Sequence, residues 1–294
     1  MNQENLFNGH VQIGLTGWGD HDDIYPKGIK SGQKLHDYSV QFPLVELDSS
    51  FYGIPSPERM LNWSLQTPEH FGFIVKAYQG MTGHARGESP YPDSKTMFMR
   101  FRESVEVMQQ QGKLKAVLFQ YPPWFDCQHK HVDILRRTRE WMKGLPLALE
   151  FRNQSWFSED MRERTLLFMR EEEWIHTICD EPQAGEGSVP TVLVPTRDDI
   201  TLVRMHGRHT AGWHASGQPN WREIRYLYRY SEQELIEWRD HIRELLRSTR
   251  ECWVVFNNNS GGDAASNARQ LMSLLGMELP QLPPAQLSLF DDHN

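Results

Sequence analysis

Eight apolar runs, spread along a 294-residue chain, each end on polar or charged residues. They close at Gly14-Leu15-Thr16, Val45-Glu46-Leu47-Asp48, Ile74-Val75-Lys76 and Leu118-Phe119-Gln120. Four more close at Leu149-Glu150-Phe151-Arg152, Ile178-Cys179-Asp180, Arg204-Met205-His206 and Phe256-Asn257-Asn258. Near-continuous apolar strands are buried on both faces, as in a parallel sheet covered by helices. Helical patterns lie between the runs. Met97, Phe98, Phe101, Val105 and Met108 share a face, Ser56-Pro57 opens a helix, and Ser231 with Glu234 forms a capping box.

The strands are expected at Val11–Leu15, Leu44–Leu47, Phe71–Lys76, Ala116–Gln120, Leu147–Arg152, Trp174–Asp180, Leu202–His206 and Trp253–Asn257. Eight β–α units in a chain of this length favour closure into a TIM-like (β/α)8 barrel over an open doubly wound sheet. One barrel domain, 1–278, is expected, followed by a Pro-containing tail, 279–294.

The formal net charge is -8, which argues against a protein that coats nucleic acid but leaves room for a local basic cleft. Cys127, Cys179 and Cys252 are far apart and show no metal-type spacing, as expected of free thiols in a reducing compartment. Met1–His10 has no signal-peptide pattern, and no apolar run approaches bilayer length. A cytoplasmic protein without membrane attachment is expected.

Side chains alternate faces along a strand, so Glu46 with Asp48, Glu150 with Arg152, and Arg204 with His206 each share one. In a closed barrel these pairs aim at one rim, joined by Lys76, Gln120, Asp180 and Asn257, with His84 and Arg208 on the following loops. Crowded carboxylates separate in pKa, so Glu46 and Glu150 are the expected proton-exchanging pair, with His206 assisting. Lys76, Arg152, Arg204 and Arg208 are the residue types that hold a phosphate or carboxylate. Trp18, Trp213 and Trp221 can stack on a planar or sugar-like ligand. Glu150 with Arg152 also reads as part of a salt-bridge network that braces the barrel.

Glu46, His84, Glu150, Asp180 and His206 are suitable ligand types for a divalent ion, but Arg and Lys side chains aim at the same space. The metal question therefore stays open, and the sequence names no cofactor either way. There is no Gly-x-Ser-x-Gly turn and no mononucleotide-type phosphate loop. Gly261-Gly262, before the last helical pattern, is a weaker anion site.

Taken in order, Gly14-Leu-Thr-Gly-Trp18, Tyr25-Pro26, Val45-Glu-Leu-Asp-Ser-Ser-Phe-Tyr52, Trp63 with Thr67-Pro68, Phe71-Gly-Phe-Ile-Val-Lys76 and Phe119-Gln-Tyr-Pro-Pro123 form a pattern. It continues in Leu149-Glu-Phe-Arg152 with Ser155-Trp156, Arg204-Met-His-Gly-Arg208, and Phe256-Asn-Asn258 with Ala264 and Asn267-Ala268. This pattern resembles the YecE-like proteins of the DUF72 family through most of the chain. The resemblance implies a TIM-like barrel and carries no assigned reaction. Such barrels look somewhat like endonuclease IV and xylose isomerase-like enzymes, but this chain lacks the dense His set that endonuclease IV uses for its metal cluster.

The tail contains Gln286-Leu287-Ser288-Leu289-Phe290, which looks like the short peptide by which bacterial replication and repair proteins bind the DNA polymerase sliding clamp. Leu289 and Phe290 would fill an apolar pocket and Gln286 would hydrogen-bond at its edge. Pro283-Pro284 would stiffen the approach. The expectation is a hydrolase-type barrel enzyme on an anionic substrate, a phosphate ester or nucleic-acid fragment, brought to the clamp by its tail. The alternative is a non-catalytic ligand-binding or clamp-associated protein.

Overall fold

The computed structural model describes residues 11–210, 213 and 224–278. Eight parallel strands close into a barrel in chain order: β1 (Val11–Thr16), β2 (Leu44–Leu47), β3 (Gly72–Lys76), β4 (Leu114–Gln120), β5 (Leu147–Glu150), β6 (Ile175–Asp180), β7 (Ile200–Met205) and β8 (Glu251–Phe256). The seam pairs Val11 with Cys252 through Leu15 with Phe256. Expected and observed strands differ only by one or two residues at their ends.

Among the described residues, seven helices cover the sheet: α1 (Lys34–Gln41), α2 (Pro57–Leu65), α3 (Ser94–Gln110), α4 (His129–Trp141), α5 (Arg162–Glu171), α6 (Glu232–Leu245) and α7 (Asp263–Leu274). Each crossover except β6 to β7 carries a helix. That one crossover is the Pro- and Gly-rich stretch 181–199, which has no regular element. The Ser231–Glu234 capping box forms as the sequence predicts, and Ser56 caps α2 with Pro57 at its first position. No helix among the described residues is long and apolar enough to cross a membrane.

The alternation of strand side chains builds two separate cores. Outward residues such as Ile13, Leu15, Val45, Phe73, Phe119 and Val254 pack under the helices. Inward residues Leu44, Ile74, Ala116, Leu118, Ala148, Ile175, Ile200, Leu202, Trp253 and Val255 fill the lower barrel. Each fully buried apolar side chain of this size contributes about 1.5–3 kcal/mol. Gly14 faces inward where β1 approaches β2 most closely: a Cβ there would lie 1.9 Å from the Leu44 carbonyl oxygen. Tyr38 pins the same seam from α1, accepting from the Leu15 amide and donating to the Leu44 carbonyl, both at 2.8 Å. The carboxyl ends of the strands lie above this apolar plug, and there the inward positions become polar.

Candidate functional site

Continuing the inward alternation upward gives Thr16, Glu46, Lys76, Gln120, Glu150, Arg204 and, just past the strand ends, Arg152, His206 and Asn257. The strand register therefore brings Glu46, Glu150, Arg152, Arg204 and His206 together, as the sequence suggests. They form a chain of alternating sign. Glu46 accepts two bonds from Arg204, at 2.8 Å from Nε and 2.6 Å from Nη2, and Glu150 accepts from Arg204 Nη1 at 2.6 Å. Arg152 Nε lies 2.6 Å from the other Glu150 oxygen, an ion pair too bent for a hydrogen bond, and Arg152 Nη1 donates to Glu181. Glu181 also accepts from the Val189 amide at 2.7 Å.

His206 sits against both guanidiniums. Arg152 Nη2 donates to its Nε2 at 2.9 Å, so the ring proton belongs on Nδ1, which meets the Asn257 amide group at 2.9 Å. Burial and the two arginine charges hold the imidazole well below its ordinary pKa, hence neutral. Burial raises the Glu46 carboxyl, partly offset by Arg204 and Lys76. Burial works against the Glu150 charge, but Arg152 and Arg204 outweigh it and hold that carboxyl well below its usual range. Three acids share two arginines, and the excess is relieved at Glu181, whose pKa burial raises to about 7.

This chain is closed to solvent. Glu46, Glu150 and His206 are 0% exposed, Arg204 1% and Arg152 2%. Trp213 covers it from the loop after β7, with the Arg152 guanidinium 5.5 Å below its ring centre and that of Arg225 3.7 Å from it. The expected proton exchange between Glu46 and Glu150 in a water-filled mouth is therefore corrected: the two carboxylates are joined through Arg204 in a dry, paired cluster.

Two further expectations are corrected by the backbone. Asp180 follows Ile178 onto the outer face, and Arg208 leaves the rim because Gly207, at φ +85°, breaks the alternation of β7. The two pair with each other, with Arg208 Nε 3.0 and 3.1 Å from the Asp180 oxygens, and Arg208 reaches Glu237 of α6 at 3.1 Å. They tie the barrel to its helix layer. The residues missed in sequence are Cys179 and Glu181. The period-2 pattern that turns Asp180 outward turns both of them inward, a signal available from β6 itself.

Glu150, Cys179 and His206 each bring one donor atom within 4.8 Å of the others, a set resembling a metal site. The residues do not fit a cation. Arg204 already donates to Glu150, Arg152 is ion-paired with its other oxygen and donates to His206, and burial holds the Cys179 thiol well above its ordinary pKa, so it keeps its proton. Glu46 is held by Arg204, and Asp180 faces away.

The accessible space lies beside the cluster. A cleft of about 640 Å³ opens between the loops after β1, β2 and β8, lined by Thr16, Trp18, Asp48, Tyr52, Tyr226 and Asn257, with Asp20, Asn259 and Ser260 at its edge. Trp18 packs edge-on against Trp63 at 5.4 Å. Lys76 Nζ lies 2.7 Å from Asp48 and 4.8 Å over the Phe51 ring, and the Asp48 side chain is 30% exposed. His84 stands between Phe51 and Trp124, accepting from or donating to Thr82 at 2.8 Å; burial and the nearby Lys76 charge lower its pKa to about 4. Gln120 stands half-buried at the end of β4, outside the ion chain. Asn257 belongs to both regions, since it lines the cleft and holds His206. Thr16 Oγ1, buried on the cleft floor, has no hydrogen-bond partner among the described residues. Trp221 and residues 286–290 lie outside the described residues.

A closed parallel barrel with a polar layer at its strand carboxyl ends, opening into a cleft, defines a TIM-barrel protein. More particularly, the chain belongs to the DUF72 family: residues 12–288 match the model described as "Protein of unknown function DUF72", a match that runs past 278. It is 54% identical over 281 residues to the UPF0759 protein YunF of Bacillus subtilis, covering 95% of this chain and 100% of that one. The UPF0759 protein YecE of Escherichia coli K12 is 34% identical over 67 residues, 22% of this chain and 23% of that one. Among solved structures, a DUF72 family protein (EF0366) of Enterococcus faecalis V583 superposes with a TM-score of 0.87 at 36% identity, covering 94% of this chain and 99% of that one. Another (TM1631), of Thermotoga maritima MSB8, gives 0.77 at 32% identity, covering 90% and 99%.

Proposed function

We propose that this chain is a hydrolase-type barrel enzyme whose substrate is small, uncharged and rich in hydroxyl groups, held in the cleft rather than in the ion cluster. Asn257 carries this reading. Its amide group is held 2.9 Å from His206 Nδ1, so a dry network of buried charges fixes one polar group at the wall of an open site. Trp18, Tyr52 and Tyr226 supply ring faces on the same walls. Asp48, with the Lys76 ammonium 2.7 Å away, is the accessible carboxylate placed to take a proton from water.

The anionic substrate suggested by the sequence is less well supported. Lys76 is bound to Asp48, Arg152 to Glu150 and Glu181, Arg204 to Glu46 and Glu150, and Arg208 to Asp180 and Glu237. A phosphate would have to displace carboxylates, and the cleft adds Asp20 and Asp48 of the same sign. The test is calorimetric titration of matched pairs, glucose with glucose 6-phosphate and mannose with mannose 6-phosphate, into wild type, Asn257→Ala and Asp48→Asn. The reading expects the neutral member to bind better and Asn257→Ala to weaken it. Preference for the phosphorylated member overturns it. Turnover of nitrophenyl glycosides that Asp48→Asn abolishes while binding persists supports catalysis. Binding without turnover in wild type supports the non-catalytic alternative.

We also propose that Gln286-Leu287-Ser288-Leu289-Phe290 docks this barrel on a sliding clamp, on the strength of the motif and of the two prolines before it. Capture of purified clamp by the full chain, lost in Leu289→Ala with Phe290→Ala, supports this; failure of the intact chain to capture it removes the replication link.

A further inference from the structure

A row of aromatic rings leaves the cleft and crosses the barrel mouth. Tyr52, which lines the cleft and is 57% exposed, meets Phe51 edge to face at 5.3 Å. Phe51 meets His84 at 5.2 Å, and His84 meets Trp124 at 5.9 Å. Trp124 is 61% exposed and stands at the rim of a second cavity, about 430 Å³, walled by Met81, Phe98, Tyr121, Phe125 and Trp141. The rings come from three successive loops, those after β2, β3 and β4, so the fold rather than one local motif aligns them. Large apolar side chains are normally covered, and two exposed rings joined by a continuous aromatic path between two cavities are the kind of surface that marks a binding site.

We propose that this ridge is an extended subsite that carries a linear, uncharged oligosaccharide out of the cleft, with Tyr52 and Trp124 as its two stacking platforms. The proposal rests on the reading of the cleft as a site for a hydroxyl-rich ligand, and it names the polymer class. Charge selects the class. A single-stranded nucleic acid also stacks on aromatic rows, but it needs a positive groove along its backbone. Here Lys76 is paired with Asp48 and His131 with Asp126 at 2.8 Å; Arg137, the other cation lining the second cavity, lies 5.9 Å over the Trp141 ring and is a single charge rather than a groove, while the chain as a whole carries a formal charge of -8. His84, whose pKa is lowered to about 4, presents a neutral ring at physiological pH.

The experiment is calorimetric titration of the full-length chain with cellohexaose, mannohexaose and chitohexaose, their monosaccharides, and a twelve-residue oligo-dT. The variants are Trp124→Ala and Asn257→Ala, each checked for an unchanged thermal melt. At least one hexamer is expected to bind more tightly than its monosaccharide, and Trp124→Ala to weaken that hexamer by about tenfold while leaving the monosaccharide unchanged. Three results overturn the ridge: no hexamer binds, Trp124→Ala leaves hexamer affinity intact, or oligo-dT binds better than every hexamer. The cleft fails separately, when hexamer binding depends on Trp124 but is indifferent to Asn257→Ala; the ridge then stands as a site of its own.

Discussion

Replacing Arg204 with methionine tests the ion cluster where it is most connected. The guanidinium makes three bonds of 2.6–2.8 Å to two carboxylates, and all three side chains are sealed from solvent. Methionine keeps much of the volume and removes the charge. Breaking a buried pair by deleting one partner costs about 3–5 kcal/mol, because the remaining charge is left in a poor dielectric. For a chain of this size that lowers Tm by roughly 5–8 °C. An exposed pair gives the contrast: Arg100 and Glu103 lie 3.2 Å apart with side chains 65% and 52% exposed, and Arg100→Ala should cost less than about 1 kcal/mol. The sign of the pH dependence adds a second check. Without Arg204, Glu46 loses its guanidinium and its folded pKa, already raised by burial, rises further above the unfolded one, while Glu150 keeps Arg152 and rises less. Stability then persists at acidic pH and is lost as pH rises through the raised values. Urea unfolding of wild type and variant at pH 5 and pH 8 reads both effects, with the larger deficit expected at pH 8. A variant within about 1 kcal/mol of wild type at pH 8 would refute the reasoning, since it would mean that the two carboxylates have another source of stabilisation.

Other consequences follow from single residues. Glu181 has its folded pKa raised to about 7, so wild-type stability should fall as pH rises from roughly 4.5 through 7, by a few kcal/mol. Glu181→Gln should flatten that part of the urea-midpoint profile, and an unchanged slope would place the titration elsewhere. Gly14→Ala puts a Cβ 1.9 Å from the Leu44 carbonyl oxygen, so β1 must move away from β2, and a loss of more than about 3 kcal/mol or failure to accumulate as soluble protein is expected. A near-wild-type melt would show that the seam is looser than described. Arg208→Ala should lower Tm yet leave cleft binding unchanged, because Arg208 joins Asp180 to α6 away from the cleft; lost ligand affinity without lost stability would contradict that placement.

The barrel was readable because its signal is periodic and repeated: eight apolar runs with helical patterns between them leave few topologies, and β2 can be bounded to the residue. The convergence of Glu46, Glu150, Arg152, Arg204 and His206 was readable for the same reason, since alternation and closure together set where inward side chains meet. What the sequence does not show is whether such a cluster is wet. That depends on Trp213 and Arg225, which lie between β7 and α6 in a stretch whose sequence has no periodicity and reach the cluster only in three dimensions. Asp180 and Arg208 were misplaced by treating each strand end as a rim residue. The alternation along β6 itself, and the positive φ at Gly207, send them outward and bring Glu181 in. The cleft was only half visible. Trp18, Asp48 and Asn257 belong to recognisable strand ends, whereas Tyr226 lies far in sequence from any strand end.

The central claim is that the ion cluster is a closed, fixed base and that ligand chemistry belongs to the cleft beside it. Nitrogen-15 NMR of the His206 imidazole tests this most directly. A neutral ring with its proton on Nδ1, unchanged between pH 5 and pH 8, is the predicted result, because burial and the charges of Arg152 and Arg204 hold its pKa well below the ordinary value. A ring that titrates near pH 6.5 and changes tautomer when it does would mean that water reaches the cluster, and would return Glu150 and His206 to the chemistry.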